Sequence, residues 1–192
     1  LFRSQLLADN GAEVIKVEAP GGDMNRGFPQ VLGPGESTNF TSVNRGKRDI
    51  TLNLKDSRAR AIVHRLVAEV DIVIQSFLPS SAAKLGVDYD TLIGINPNLI
   101  YASISGYGAR GALSNKPGYD LMVSAFGGIM SLTGEPDRPP VRVGVTLIDL
   151  GTGMLTYSGI MTALHARDTG KCGGQRVDTS LLETAVTLLG FH

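Results

Sequence analysis

The chain has 192 residues, enough for a domain with a real core. Its 18 basic and 18 acidic side chains balance, which removes the electrostatic case for nucleic acid or an anionic membrane as partner. A single cysteine, Cys172, excludes an internal disulfide framework and suits a reducing compartment, and no apolar run approaches the roughly eighteen residues of a membrane span.

Leu1 to Ala8 reads as the tail of a helix already under way, closed by Asn10-Gly11, a pair suited to a left-handed C-cap. Val14 to Glu18 alternates as a strand and stops at Pro20-Gly21-Gly22. From Gly21 to Asn44 the composition predicts a long irregular excursion, and such loops are more often functional than decorative. Ile50 to Leu54 reads as a short strand. Asp56 caps a helix whose core face is Ile62, Val63, Leu66, Val67 and Val70. Asp71 to Phe77 is a nearly continuous apolar strand, as expected where helices cover both faces. Short helices follow over Pro79–Leu85, closed by Gly86, and Tyr89–Ile95, stopped before Pro97. Leu99 to Ser105 is the next strand, and Tyr119 to Leu132 is predicted helical, with a Pro-rich loop to Pro140.

The apolar run Gly144 to Leu150 then opens into a helix whose predicted apolar face is Leu150, Met154, Tyr157, Met161 and Leu164. Asp149 sits at its start, where unpaired N–H groups and the positive dipole end favour a carboxylate. Two readings stand at this point: a helix N-cap, or a carboxylate held ionised to do chemistry. After a turn at Lys171–Gln175 comes a short strand near Val177. Ser180-Leu181-Leu182-Glu183 is then a capping box, whose helix is cut off at Phe191-His192, so the chain reads as a fragment. Strands alternating with helices predict an α/β domain with a mainly parallel sheet. Ligands in such sheets bind beyond the carboxyl ends of the strands.

Several motifs exclude more than they assign. Gly106-Tyr107-Gly108-Ala109-Arg110-Gly111 matches G-x-G-x-x-G after a strand. The dinucleotide fingerprint also needs a helix to open there, and Pro117-Gly118 arrive first. His64, His165 and His192 share no metal spacing with Cys172, and G-x-S-x-G is absent. Lys16, Arg26, Arg45, Lys47, Arg48, Lys55 and Lys84 fall at strand ends and loops. Singly they read as solvated charges; gathered on one face they would suit a phosphorylated ligand.

The chain resembles the family III CoA-transferases, the family of formyl-CoA transferase and carnitine CoA-transferase, in a series of stretches that keep the family's order. They are Gly11 to Glu18 with Gly21-Gly22-Asp23, Asn44-Arg45-Gly46-Lys47-Arg48, Asp71 to Phe77, Asn96 to Gly108, Pro117-Gly118-Tyr119-Asp120, and Val141 to Val145 leading to Asp149. The resemblance implies a Rossmann-like large domain, part of an interlinked two-domain fold, with residues 1–192 a fragment that lacks the N-terminal strand and the small domain. It implies that Asp149 is the catalytic nucleophile, forming aspartyl anhydride and aspartyl-CoA thioester intermediates, with oxyanion stabilisation from nearby backbone N–H groups. It places CoA contacts at Leu52, Lys55, Ser76, Phe77, Leu78, Lys84, Lys116, Pro117, Gly118, Tyr119 and Asp120. Ser76 stands where the family usually has Asn, Lys84 where Arg is common, and Ala19 where a basic residue is frequent. The implied partners are an acyl-CoA and a small carboxylic acid, with neither nucleic acid nor membrane, in an interlinked homodimer of the cytoplasm or mitochondrial matrix. CoA enters as substrate, with no separate cofactor and no metal.

Two alternatives accompany that reading. The same fold serves the α-methylacyl-CoA racemases, whose chemistry pairs a His with the Asp; the racemase His falls at Tyr119, and a phenol holding its proton at neutral pH is a poor base. The other is a non-catalytic acyl-CoA-binding fragment, since the fragment alone is expected to turn over little.

Overall fold

The structure is a computed structural model and describes residues 2–28, 31–34 and 36–190. Leu1, Phe191 and His192, the expected ends of the terminal helices, lie outside the described residues. Two compact units divide the chain, residues 1–66 and 67–192, and both combine helices with parallel strands.

In the first unit α1 (Phe2–Asp9) ends at Gly11, whose φ of +92° is the left-handed value that glycine adopts at little cost. The strand β1 (Val14–Glu18) pairs in parallel with β4 (Lys47–Thr51). That second strand begins three residues before the predicted one. Its basic start is tolerated because both side chains find acceptors: Lys47 Nζ donates to Ser4 Oγ at 2.9 Å and to the Val43 carbonyl at 2.5 Å, and Arg48 pairs with Glu13. The described residues of the excursion between the strands carry short regular elements rather than an irregular path. They hold a 3-10 turn (Met24–Gly27), the antiparallel pair β2 (Val31–Gly33) and β3 (Glu36–Ser37), and α2 (Thr38–Ser42). Ser37 Oγ caps α2 by accepting from Phe40 N at 3.0 Å. Asp56 accepts from Arg58 N at 2.9 Å to start α3 (Ser57–Val67), as predicted. The buried side chains of α3 are Ala59 and Val67, and Ile62 is exposed.

One buried carboxylate ties this excursion to the sheet. Glu18, 5% exposed, receives Lys16 Nζ at 2.8 Å and Arg26 Nε at 3.1 Å. Arg26 also reaches Asp49, Lys16 also reaches Asp23, and both cations lie over the Phe40 ring. Burial pushes the Glu18 carboxyl up, but the hydrogen bonds from Arg26 and Lys16 outweigh it and hold it down at about 2. The folded state therefore binds fewer protons than the unfolded one between about pH 4.5 and 2, and the stability this group contributes is complete above that window and lost on descending through it. Hydrogen exchange of the β1 amides is accordingly expected to accelerate as pH falls through this range, relative to the intrinsic rate. Glu18→Gln should weaken β1 protection at neutral pH and flatten the acid dependence; an unchanged acid slope would refute the assignment.

The second unit is built on a parallel sheet of β5 (Ile72–Gln75), β6 (Ile100–Ser105) and β7 (Gln175–Ser180), with β6 in the centre. The helices α4 (Pro79–Leu85) and α5 (Tyr89–Ile95) have the predicted bounds. Gly86 closes α4 in the left-handed conformation, and Asp88 caps α5. The single helix predicted over 119–132 is two: α6 (Asp120–Phe126) and a 3-10 turn (Ile129–Leu132). The chain breaks at Gly127-Gly128, where Gly128 takes a φ of +93°. Beyond the Pro-rich loop come α7 (Leu147–Asp168) and α8 (Leu181–Leu188).

The face that α7 buries differs from the predicted one. Ile148, Thr152, Gly153, Thr156, Ile160 and Ala163 are buried, whereas Met154 and Met161 are 55% and 43% exposed. Small residues let the helix lie close on β7: a Cβ on Gly159 would stand 2.8 Å from Val177 Cγ1. The threonines satisfy their hydroxyls internally, Thr152 with Thr184 at 2.7 Å and Thr156 with Thr179 at 2.8 Å. The pairings Ala163 with Gln175, Gly159 with Val177 and Thr156 with Thr179 run in opposite chain directions. The helix is therefore antiparallel to the strands, and its N-terminus stands at their carboxyl edge.

Candidate active site

That edge collects the ends of three strands. Gln75 pairs with Ser103 in register and Ser105 with Ser180, so Ser76 to Leu78, Gly106 and the start of α8 emerge on one side. The Leu182 N–H donates to the Gly106 carbonyl at 3.0 Å, joining two of them. Gly106 is also pressed against Gly118. A Cβ on Gly106 would lie 2.6 Å from Gly118 Cα and 2.7 Å from its nitrogen. The glycine-rich stretch thus serves a backbone crossing that fixes the approach to α6, and no helix opens within Gly106–Gly111.

Beneath the edge lies an apolar cluster of Val123, Ile129, Ile148, Leu181 and Ala185, which joins α6, α7 and α8. Ile148 is wholly buried in it, while its neighbour Asp149 is exposed. Adjacent residues in the first turn of a helix point about 100° apart, so anchoring one aims the other outward. Asp149 is the third helical residue, and the N-cap position is Thr146, which makes no side-chain cap bond. The simple N-cap reading of Asp149 is therefore corrected. Asp149 remains inside the first turn, where the dipole favours an anion.

The acceptor for that turn comes from α6. Asp120 Oδ2 accepts from Ile148 N at 2.9 Å and from Asp149 N at 3.1 Å. The flanking donors are also used: Leu147 N donates to the Val145 carbonyl at 2.9 Å and Leu150 N to the Thr146 carbonyl at 3.1 Å. The first-turn N–H groups of α7 are thus committed within the protein, and an oxyanion beside Asp149 has to be met by other donors. Sequence spacing missed this arrangement, because Asp120 and Asp149 are 29 residues apart. The only local cue was an acid placed directly after Pro-Gly-Tyr and before an apolar helix.

The other candidate contacts divide by unit. In the second unit Ser76 and Phe77 are exposed just past β5, Leu78 is half-buried, Lys84 is exposed on α4, and Lys116, Pro117 and Tyr119 are exposed before α6. Gly118 is partly covered and Asp120 is buried. Phe77, Pro79, Ser105 and Ala109 line a cavity of about 90 Å³ at the carboxyl edge, room for one small group of a ligand. In the first unit Leu52 is buried and Lys55 exposed. Of the seven cations, Lys55 and Lys84 are exposed, one in each unit. Lys16, Arg26, Arg45 and Arg48 are paired with carboxylates of their own unit. Lys47 is turned onto Ser4 and Val43, where burial and the neighbouring Lys16 and Arg3 charges lower its pKa to about 8. Among the described residues no group of three His, Cys, Asp or Glu side chains converges as a metal site would, and no helix is long and apolar enough to cross a membrane.

The family model for CoA-transferase family III matches residues 1–192. The chain is 45% identical over 191 residues to an acetyl-CoA:oxalate CoA-transferase of Acetobacter aceti, covering 98% of the chain and 48% of that protein. It is 43% identical over 190 residues to a succinyl-CoA:glutarate CoA-transferase of Mus musculus, covering 98% of the chain and 43% of that protein. A crystal structure of a CAIB/BAIF family protein from Brucella suis superposes with a TM-score of 0.93 at 43% identity, over 98% of this chain and 50% of that one. The chain spans about half the length of the curated relatives it matches. With the family model matched from end to end and a fold shared at this level of identity, the chain belongs to CoA-transferase family III.

Proposed function

We propose that the protein containing this chain transfers CoA from an acyl-CoA to a carboxylic acid, with Asp149 as the nucleophile. The observation that carries this is one exposed carboxylate at the carboxyl edge of a parallel sheet, its backbone held from below by Ile148 and from the side by Asp120. An Asp149 oxygen attacks the thioester carbonyl, the C–S bond breaks, and CoA leaves as the thiolate from a mixed anhydride. The thiolate attacks the aspartyl carbonyl and expels the donor acid, leaving an aspartyl-CoA thioester. The acceptor carboxylate attacks that thioester and forms a second anhydride, and the thiolate recaptures the acceptor's acyl carbon. Asp149 is regenerated as carboxylate, and no step changes an oxidation state.

In this reading the CoA contacts are Leu52, Lys55, Ser76, Phe77, Leu78, Lys84 and the segment Lys116 to Tyr119. Small dicarboxylates are the first acceptors to examine, because the relatives are named for oxalate and glutarate. An interlinked homodimer is part of the same proposal. It is supported by the exposed Leu121, Met122 and Phe126 of α6 and Met154 and Met161 of α7, which an assembly would cover.

The test uses the full-length protein with two probe pairs, acetyl-CoA with oxalate and succinyl-CoA with glutarate. Exchange of CoA is expected with at least one pair. Incubation with the acyl-CoA and hydroxylamine should leave a hydroxamate at residue 149, and Asp149→Ala should leave none. Deuterium uptake at the α-carbon of a 2-methylacyl-CoA, without any acceptor acid, would instead establish racemase chemistry.

A further inference from the structure

Resting on the reading of Asp149 as nucleophile, we propose that Asp120 is a positioning residue of the transfer reaction, holding the first turn of α7 rather than touching CoA. The residue is 6% exposed, which leaves little of it to offer a ligand. A carboxylate buried to that degree is costly unless its charge is answered by hydrogen bonds. The answer here is specific: Oδ2 takes the N–H of Ile148 at 2.9 Å and of Asp149 itself at 3.1 Å. Both belong to the orphan donors that every helix start presents, and Thr146 at the N-cap position supplies no side-chain acceptor.

The consequence for Asp149 is mechanical. Its own nitrogen is tied to α6 through Asp120, and the residue before it is sunk in the apolar cluster. Two independent anchors thus fix the backbone from which the nucleophilic carboxylate projects. Asp120 is in turn fixed, because it is the first residue of α6 and follows Gly118, which is packed against Gly106. A nucleophile displaced by about 1 Å loses on the order of a hundredfold in rate, so removing one anchor should act on the chemical step and spare ligand binding.

The experiment measures kcat and KM in the full-length enzyme with the probe pair that exchanges. Asp120→Ala is expected to lower kcat about 100-fold while KM for the acyl-CoA stays within about threefold. Asp120→Asn, whose amide oxygen accepts the same two N–H groups, should recover kcat to within about tenfold of the unaltered enzyme. Asp120→Glu keeps the charge but lengthens the arm, and should lose kcat without raising KM. If Asp120→Ala does not fold, the Asn and Glu variants decide on the same division. A rise in KM at constant kcat in any of them would make Asp120 a ligand contact and overturn the proposal, as would an Asp120→Ala enzyme with undiminished kcat. Asp149→Asn measured in parallel separates the two ideas. If it stays active, the nucleophile reading falls and takes this one with it; if it is dead while Asp120→Ala is fully active, only the positioning role is wrong.

Discussion

Asp149→Asn is expected to fold like the unaltered protein and to lose CoA transfer by at least about 10⁴-fold. The folding half of this expectation follows from where the side chain stands. Asp149 is exposed, and the turn that carries it is secured by other groups, the Asp120 carboxylate on two N–H groups and Ile148 in the apolar cluster. Among what the substitution weakens is the interaction of a first-turn anion with the helix dipole, about 0.3–1 kcal/mol. The catalytic half follows from the chemistry. An amide of the same shape neither attacks a thioester nor forms an anhydride, so both covalent intermediates vanish together. Urea unfolding measures the first half, and single-turnover release of CoA measures the second. An Asn variant that still releases a stoichiometric burst of CoA from acyl-CoA would remove Asp149 from the mechanism. One that unfolds would make its carboxylate structural after all.

Local signals in the sequence located most elements of this fold. Gly86 after Leu85, Asp88 before Tyr89 and Ser180 before Leu181 act within a turn of themselves, and the corresponding helix ends stand where predicted. Misplacement arose where a tertiary partner overrode a local preference. Lys47 and Arg48 belong to β4 because Ser4, the Val43 carbonyl and Glu13 receive their charges, and none of these partners is visible in a five-residue window. The buried face of α7 was read from its large apolar residues, but close packing on β7 selects the small ones, Thr152, Gly153, Thr156 and Ala163. That leaves Met154 and Met161 outward.

The candidate site divides along the same line. Asp149 could be singled out as a carboxylate opening a helix, though the family order of motifs was needed to suggest what it does. The groups that hold it could not be found by spacing. The Asp120 bonds span 28 and 29 residues. The Gly106–Gly118 crossing replaces the phosphate-binding turn that the glycine pattern imitates. The pairing of the basic residues was hidden for a related reason. A count of cations ignores carboxylates that fold back on them, as Glu18 does on Lys16 and Arg26.

Gly106→Ala is expected to destabilise the fold strongly. The new methyl would stand 2.6 Å from Gly118 Cα and 2.7 Å from Gly118 N, and both of these are backbone atoms. No flexible side chain can move aside, so either the Gly106 or the Gly118 segment must shift, at a cost of about 3 kcal/mol or more. Gly108→Ala is the control. Its φ of +92° disfavours a side chain, but the site is open, with no atom within 4 Å of a built Cβ. Its cost should be limited to the left-handed backbone penalty, about 1–2 kcal/mol. The two substitutions therefore differ in kind, collision against conformational preference, and urea unfolding of the full-length protein should separate them by more than about 1 kcal/mol. They should also differ in activity. Displacing Gly118 moves the first residue of α6, and with it the carboxylate that holds the Ile148 and Asp149 nitrogens. The fraction of Gly106→Ala that still folds should thus transfer CoA more slowly than Gly108→Ala at saturating acyl-CoA. Equal stability and equal kcat for the two variants would mean that the crossing yields without strain and that the path from Gly106 to Asp149 is not rigid.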